Sequence, residues 1–208
     1  MRMFPLLLAF AFTVVSGCGA LSSLSEAGKE LDAFTLSPAT GSGSGSGSGP
    51  AGSNHLVVEL PSSAGALGTD RILIKPIRFQ AQYLPDGRWS EPAPALVQTL
   101  LIASFQNLGG FRLVGRTGAG LMPDFTLMTE LQEFQAEPTG SASADLTVKV
   151  SVMMTLVRET DRRIIASKRI SATDTARSDD TLAIVGGFDR ALQTVLQEAH
   201  RWAVGQAG

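Results

Sequence analysis

The residue best placed to do chemistry is Cys18, the single cysteine of the 208-residue sequence. It ends the stretch Val15-Ser16-Gly17-Cys18, in which small residues precede the thiol, and we interpret this stretch as a lipobox. A thiol at this position can carry a thioether-linked diacylglycerol, and cleavage before it exposes an amine for a further acyl chain. Each buried methylene contributes about 0.8 kcal/mol, so several acyl chains hold a protein stably on a membrane. Cys18 is therefore predicted to be the acylated N-terminus of the mature chain.

The residues before Cys18 have the architecture of a secretory signal peptide. Arg2 supplies a positive charge, and a mostly apolar run follows it over residues 6–15. A membrane-spanning helix needs roughly 20 apolar residues, which is more than this run contains. The alternative is an ordinary cleaved signal peptide, with Cys18 left in a mature tail or removed. Because an unpaired thiol is unusual in an exported protein, we favour lipidation. Gly19 after the cysteine is compatible with the outer membrane of Gram-negative bacteria.

Charge and composition argue against several functional classes. Lys and Arg total 17 while Asp and Glu total 19, so the chain has no basic surplus that would favour nucleic acid. One cysteine excludes an internal disulfide and a cysteine-based metal site. His55 and His200 lie far apart in sequence, and no Gly-x-Ser-x-Gly motif marks a nucleophile. We therefore expect no enzymatic activity, no metal and no cofactor.

The sequence divides into three predicted segments, and the last of them contains a low-complexity run. Residues 1–17 are the signal peptide, residues 18–30 a lipid-anchored tether, and residues 31–208 one domain with a Gly/Ser-rich insertion at about 39–53. The strict Gly-Ser alternation is typical of a flexible coil, and no Gly-Lys-Ser/Thr follows it as a phosphate loop would require. Because a short strand pattern at Phe34–Pro38 precedes it, we favour an insertion between two strands over a domain boundary.

Alternating apolar residues predict the strands. The clearest pattern runs over Leu146–Leu156, and a turn at 160–162 leads to a returning strand over Arg163–Thr173. A strand from Asp124 onward changes phase by Phe134, which predicts a bulge. Shorter strands are predicted at 34–38, 55–60, 71–79 and 111–114.

Apolar residues at helical spacing predict two helices, over about 90–108 and 181–202. Ser90 is the predicted cap of the first helix, and Ser178 or Asp179 that of the second. The Gly186-Gly187 pair weakens the expected first turn of the second helix. The predicted fold class is α/β (mixed α+β), with a single mixed, largely antiparallel sheet and two main helices packed on it.

The segment Tyr83–Trp89 is a second candidate for function. Its Pro85-Asp86-Gly87 sequence is turn chemistry, which predicts a loop. Tyr83 and Trp89 are large amphipathic side chains that either hold this loop to the core or anchor a partner, since aromatic residues are enriched in interfaces. Tyr83, Arg88 and Trp89 are therefore the candidate partner-binding residues.

Five segments of the chain share their order and spacing with a known family. They are Phe34–Pro38, Asp70–Pro76, Gln82–Trp89, the helix Ala93–Phe105 and the strand Asp124–Phe134. Together they resemble the family of ABC-type transport auxiliary lipoproteins, and the resemblance covers most of residues 31–204. The Gly-Ser run departs from the family pattern, as does Phe34, where tyrosine is more usual.

The resemblance implies a non-catalytic outer-membrane lipoprotein that faces the periplasm. It implies a periplasmic MCE-domain protein as partner and, through it, an inner-membrane ABC permease and ATPase that move phospholipid or another hydrophobic molecule. It implies a mixed sheet with packed helices and no nucleic acid, and it allows for a homo-oligomer. Two alternatives stay open: a lipoprotein that activates or scaffolds a cell-wall or outer-membrane assembly enzyme, and a lipid carrier with its own apolar cavity.

Overall fold

Nine β-strands and two α-helices occupy the part of the chain that the structure describes. The computed structural model describes residues 30–41, 52–118, 120, 122–140 and 145–208. The predicted signal peptide, nearly all of the predicted tether and most of the Gly-Ser run lie outside these residues. The elements are β1 (Asp32–Phe34), β2 (His55–Val58), β3 (Ser62–Ser63), a 3-10 turn (Gly65–Leu67), β4 (Arg71–Ile74), β5 (Gln82–Trp89), α1 (Ala93–Leu108), β6 (Leu113–Arg116), β7 (Phe125–Pro138), β8 (Leu146–Arg158), β9 (Arg163–Ala176) and α2 (Thr181–Ala207).

All nine strands belong to one sheet, and β7 connects its parts. Along one edge, β7 pairs antiparallel with β8, which pairs antiparallel with β9. Along the other edge, β7 pairs parallel with β2, β3 and β4 in turn. β6 extends the sheet beyond β2, while β5 and then β1 extend it beyond β4. The sheet is therefore mixed, and its long ladders are antiparallel, which confirms the predicted fold class.

A bulge in β7 keeps its apolar residues on one face. The register with β8 shifts between Leu131 and Glu133, so Gln132 is an extra residue in β7. Leu131 before the bulge and Phe134 after it therefore both lie on the buried side. The phase change predicted at Phe134 is confirmed, as is the alternating buried row of β8.

Both helices pack on this one face of the sheet and build the core with it. α2 lies over β8 and β9, whereas α1 lies closest to β6 and β2. Trp89, Phe134 and Phe188 meet at the centre of the core, with ring centroids 4.8 to 5.4 Å apart. Each ring buries a large apolar area, and the ring pairs adopt tilted and edge-to-face arrangements, which aromatic rings prefer to face-to-face stacking. We call the opposite side of the sheet the outer face.

The residues that follow β1 form a strap (35–41) held by side chains from both helices. The N–H of Ser37 donates to Asp189 of α2 at 2.7 Å, and the N–H of Ala39 donates to Ser104 of α1 at 2.8 Å. The side-chain amide of Asn107 donates to the carbonyl oxygen of Ala39 at 3.1 Å. The helix side chains therefore pair backbone groups of the strap, including those of the buried Ala39, that no helix or strand ladder pairs.

The start of α1 differs from its prediction. The helix begins at Ala93 with Pro92 as its N-cap, so the predicted cap at Ser90 was wrong. The N–H of Ser90 instead donates to the carbonyl oxygen of Phe34 at 2.7 Å. Contact with β1 therefore decides the conformation of Ser90, which its local sequence could not show.

The cap of α2 also differs from its prediction. Asp180 is the N-cap, so the predicted caps Ser178 and Asp179 were wrong. The side chain of Asp180 makes no capping hydrogen bond to the helix. The helix continues unbroken through the two glycines of its second turn. Its first turn is therefore held by packing on the sheet rather than by a side-chain cap.

Gly187 explains why α2 tolerates a glycine pair. A β-carbon at this position would lie 2.9 Å from a methyl group of Val148 on β8, whereas one at Gly186 would meet only the end of the Arg190 side chain, at 3.3 Å. Gly187 is buried and lets the helix approach the sheet closely. The loss of helix propensity at Gly187 is therefore offset by packing.

Candidate functional site

The segment predicted as a loop, Tyr83–Trp89, lies in strand β5. Arg71 of β4 is the partner of Arg88, and Leu73 is the partner of Tyr83, so β5 has more residues than β4 between these pairs. The Pro-Asp-Gly turn residues occupy the resulting bulge. The loop prediction was wrong because β4 and β1 both pair with this segment, and local turn chemistry does not reveal that pairing.

Tyr83 and Arg88 lie on the outer face of the sheet, where Arg71 contacts Tyr83 and is the register partner of Arg88. Because side chains alternate along β5, Arg88 lies on the face opposite to the one on which its neighbour Trp89 is buried. The guanidinium carbon of Arg71 lies 5.6 Å from the centroid of the Tyr83 ring. A carboxylate oxygen of Asp70 lies 3.6 Å from Nη1 of Arg88. We call Asp70, Arg71, Tyr83 and Arg88 the β5 patch.

The β5 patch is ordered by hydrogen bonds to neighbouring backbone. The Tyr83 hydroxyl donates to the carbonyl oxygen of Ala66 at 3.3 Å, and Nη2 of Arg71 donates to that of Leu84 at 3.3 Å. Tyr83 remains 38% exposed, and the Arg88 side chain 30% exposed. A phenol with two guanidinium groups and one carboxylate can recognise a partner by stacking and charge-assisted hydrogen bonds. The patch is therefore suited to binding.

Trp89, the third candidate residue, is not on this surface. Its side chain has 0% exposure and packs between Phe134 and Phe188 in the core. This position matches the interpretation in which the aromatic residue holds its segment to the core. It leaves Tyr83 and Arg88 as the members of the predicted set that a partner can reach.

Cys18 lies outside the described residues. The ring of His200 is half-buried, with Nε2 2.9 Å from the carbonyl oxygen of Gly109 and the ring centroid 5.4 Å from that of Phe105. No group of three or more His, Cys, Asp or Glu residues that could hold a metal occurs in the described ranges. Among the helices in these ranges, none combines the length and apolarity needed to cross a membrane.

Two ion pairs tie α2 to β9. Nζ of Lys168 lies 2.6 Å from Oε1 of Glu198, and Nη2 of Arg190 lies 2.7 Å from Oδ1 of Asp174. The hydrogen bond from Lys168 lowers the pKa of Glu198, and the hydrogen bond to Asp174 raises the pKa of Arg190. Both pairs are partly exposed, so they orient the helix and contribute little stability.

The β4–β5 loop (residues 75–81) has two exposed apolar side chains that the sequence pattern did not indicate. The strand predicted over 71–79 ends at Ile74, because Pro76 lacks the N–H that a continuing ladder needs. Ile77 and Phe79 are therefore not alternating strand residues but exposed loop residues. Their apolar character was visible in the sequence, whereas their exposure depends on where the strand ends.

Comparison with known proteins gives a family and a fold. A family model for the ABC-type transport auxiliary lipoprotein component matches residues 34–200. The crystal structure of protein XCC0632 from Xanthomonas campestris has a TM-score of 0.72 at 22% identity, covering 85% of this chain and 96% of that chain. A crystal structure of an uncharacterized protein has a TM-score of 0.63 at 14% identity, covering 84% of this chain and 99% of that chain. At these identities the two structures show a shared fold.

One curated relative is longer than this chain. It is an uncharacterized protein of Bradyrhizobium diazoefficiens, 24% identical over 152 residues, which are 73% of this chain. The match spans 40% of that relative's length. The similarity therefore concerns the region that the two proteins share.

Proposed function

This chain belongs to the ABC-type transport auxiliary lipoprotein family, and from that membership we propose that it is a non-catalytic outer-membrane component of an MCE-type transport system. Cys18 carries the acyl chains, and the domain that begins at Leu31 faces the periplasm. The observation that carries the proposal is the family match across residues 34–200, most of the domain. The lipobox pattern before Cys18 supports the anchor independently of that match.

The role of the domain in this proposal is to dock a partner. The partner is a periplasmic MCE-domain protein and, through it, an inner-membrane ABC permease and ATPase that move phospholipid or another hydrophobic molecule. Tyr83 and Arg88 make the contact, because they are the exposed aromatic and cationic groups of the β5 patch. Trp89 supports them from the core by fixing β5.

Crosslinking in cells followed by affinity purification of the anchored chain tests this function. We expect the MCE-domain protein to co-purify, and the permease and the ATPase to co-purify through it. Tyr83→Ala should reduce its recovery roughly tenfold or more, as expected for an aromatic interface anchor. Met122→Ala is the control, since Met122 is 90% exposed and lies outside the patch. This variant should recover as much MCE-domain protein as the unsubstituted chain does.

Two results would contradict the proposal. One is the absence of an MCE-domain protein from the purified complex, together with unchanged outer-membrane lipid asymmetry and detergent resistance after the protein is deleted. The other is recovery of peptidoglycan-synthesis enzymes in its place, which would favour a lipoprotein that activates or scaffolds cell-wall assembly.

A further inference from the structure

The β4–β5 loop displays its two large apolar side chains to solvent. Ile77 is 65% exposed and Phe79 is 93% exposed. Phe79 also has a φ of 71°, a left-handed conformation that is a true outlier for a bulky residue. Strained backbone of this kind clusters at binding and other functional sites. A backbone that is strained while it turns an aromatic ring outward points to a contact outside the chain.

Positive charge accompanies these apolar side chains. The guanidinium carbon of Arg78 lies 4.7 Å from the centroid of the Phe79 ring. Neither Arg78 nor Lys75 forms an ion pair within the described ranges. Glu137, which lies beside the loop, is already paired with Lys149. Exposed apolar side chains next to cations without an ion-pair partner are typical of segments that bind to anionic membranes.

The strand registers place this loop at one end of the sheet. Ile74 pairs with Ala136, so the loop lies beside Glu137 and Pro138 at the end of β7, whereas the β8–β9 turn (159–162) lies at the opposite end of the ladder. The ladder between these ends is roughly 40 Å long at about 3.4 Å per residue.

We propose that the β4–β5 loop is a membrane contact, in which Ile77 and Phe79 enter the interface of a bilayer and Lys75 and Arg78 lie against anionic phospholipid headgroups. The acyl chains on Cys18 already hold the protein on the membrane, and the contact adds a second point of attachment. It orients the domain on the membrane and does not depend on the identity of the transport partner.

A fluorescent probe can test the contact, because the chain has one cysteine. In the lipidated chain that sulfur is a thioether, so Gln80→Cys supplies the thiol for an environment-sensitive dye. The chain is anchored in vesicles of phosphatidylethanolamine and phosphatidylglycerol that contain nitroxide-labelled lipid. We expect a blue-shifted emission and quenching at position 80, and neither at the control Thr160→Cys in the β8–β9 turn. An unquenched probe at position 80, or equal quenching at both positions, would overturn the proposal.

Vesicle flotation of residues 31–208 tests the contact without the anchor, since these residues form one compact unit. Ile77→Ser should weaken binding roughly tenfold, the equivalent of a large part of one aliphatic side chain's burial. Ile164→Ser is a matched control, because Ile164 is 67% exposed at the other end of the sheet. Equal losses in both variants would sink the idea. So would a failure of the unsubstituted residues 31–208 to float with the vesicles, which would favour a protein as the partner of the loop. Neither arm uses the transport partner, so failure here is separate from failure of the proposed function.

Discussion

On the face that the helices cover, Trp89 packs against two phenylalanine rings and has no exposed surface; on the outer face, its neighbour Arg88 reaches toward Asp70 and solvent. One strand therefore serves the core with one residue and the surface with the next. Because alternation assigns the two side chains to different environments, substitutions of neighbours should have different effects. Changes on the covered face should lower stability, and changes in the β5 patch should lower binding.

The largest expected difference is between Trp89→Ala and Arg88→Ala. Trp89→Ala should lower the free energy of unfolding by about 3–5 kcal/mol, because it leaves a cavity at the centre of the core. Arg88→Ala should lower it by about 1 kcal/mol or less, since its ion pair is partly exposed. Chemical denaturation of both variants measures this difference. Similar losses in the two variants would show that the faces are not separated in this way.

A smaller contrast is expected between the two glycines of α2, which differ in their distance from the sheet. Gly187→Ala should destabilise the protein by about 1–2 kcal/mol, because the gain in helix propensity is smaller than the cost of crowding Val148. Gly186→Ala should stabilise it by about 0.5–1 kcal/mol. Thermal unfolding midpoints should therefore move in opposite directions, and a rise in both would contradict the close approach at Gly187.

The strap should contribute less than the core to the covered face. Asp189→Ala removes the acceptor of the Ser37 N–H and should cost about 1 kcal/mol of unfolding free energy. Asp189→Asn keeps an acceptor oxygen and should recover part of that loss. Hydrogen exchange at the Ser37 amide reports the bond itself: it should accelerate in the alanine variant. Unchanged exchange would mean that other contacts hold the strap.

The smallest effect belongs to the Lys168–Glu198 pair, which is partly exposed. The pKa of Glu198 is lowered in the folded protein, so its contribution is present at neutral pH and is lost as the pH falls through the lowered pKa. Glu198→Gln should therefore cost about 0.2–1 kcal/mol at neutral pH, and this cost should disappear in acid. Unfolding at several pH values measures it; a cost that persists in acid would point to packing instead.

The elements that sequence alone predicted well are those whose pattern is local and long. The alternation in β8, the phase change at Phe134 and the periodicity of both helices are each set by many residues in a row. The cap at Ser90 failed because a contact with β1 decides the conformation of that residue. The cap at Ser178 or Asp179 failed because α2 has Asp180 as its N-cap, without a side-chain capping bond.

The parts that sequence could not predict depend on distant partners. The strap is held by residues of both helices far along the chain, and β5 is a strand only because β1 and β4 pair with it. For the candidate site, Tyr83 and Arg88 were visible as residue types. Arg71, which contacts Tyr83 and is the register partner of Arg88, was not, since its place follows from the β4–β5 register.

The most direct test of the account is the intact mass of the mature chain purified from membranes. A chain that begins at Cys18 and carries the mass of a diacylglyceryl group with a further acyl chain is the predicted result. A mature chain with an unmodified N-terminus, or one in which Cys18 retains a free thiol, would contradict the proposal that this family member works as a lipid-anchored protein.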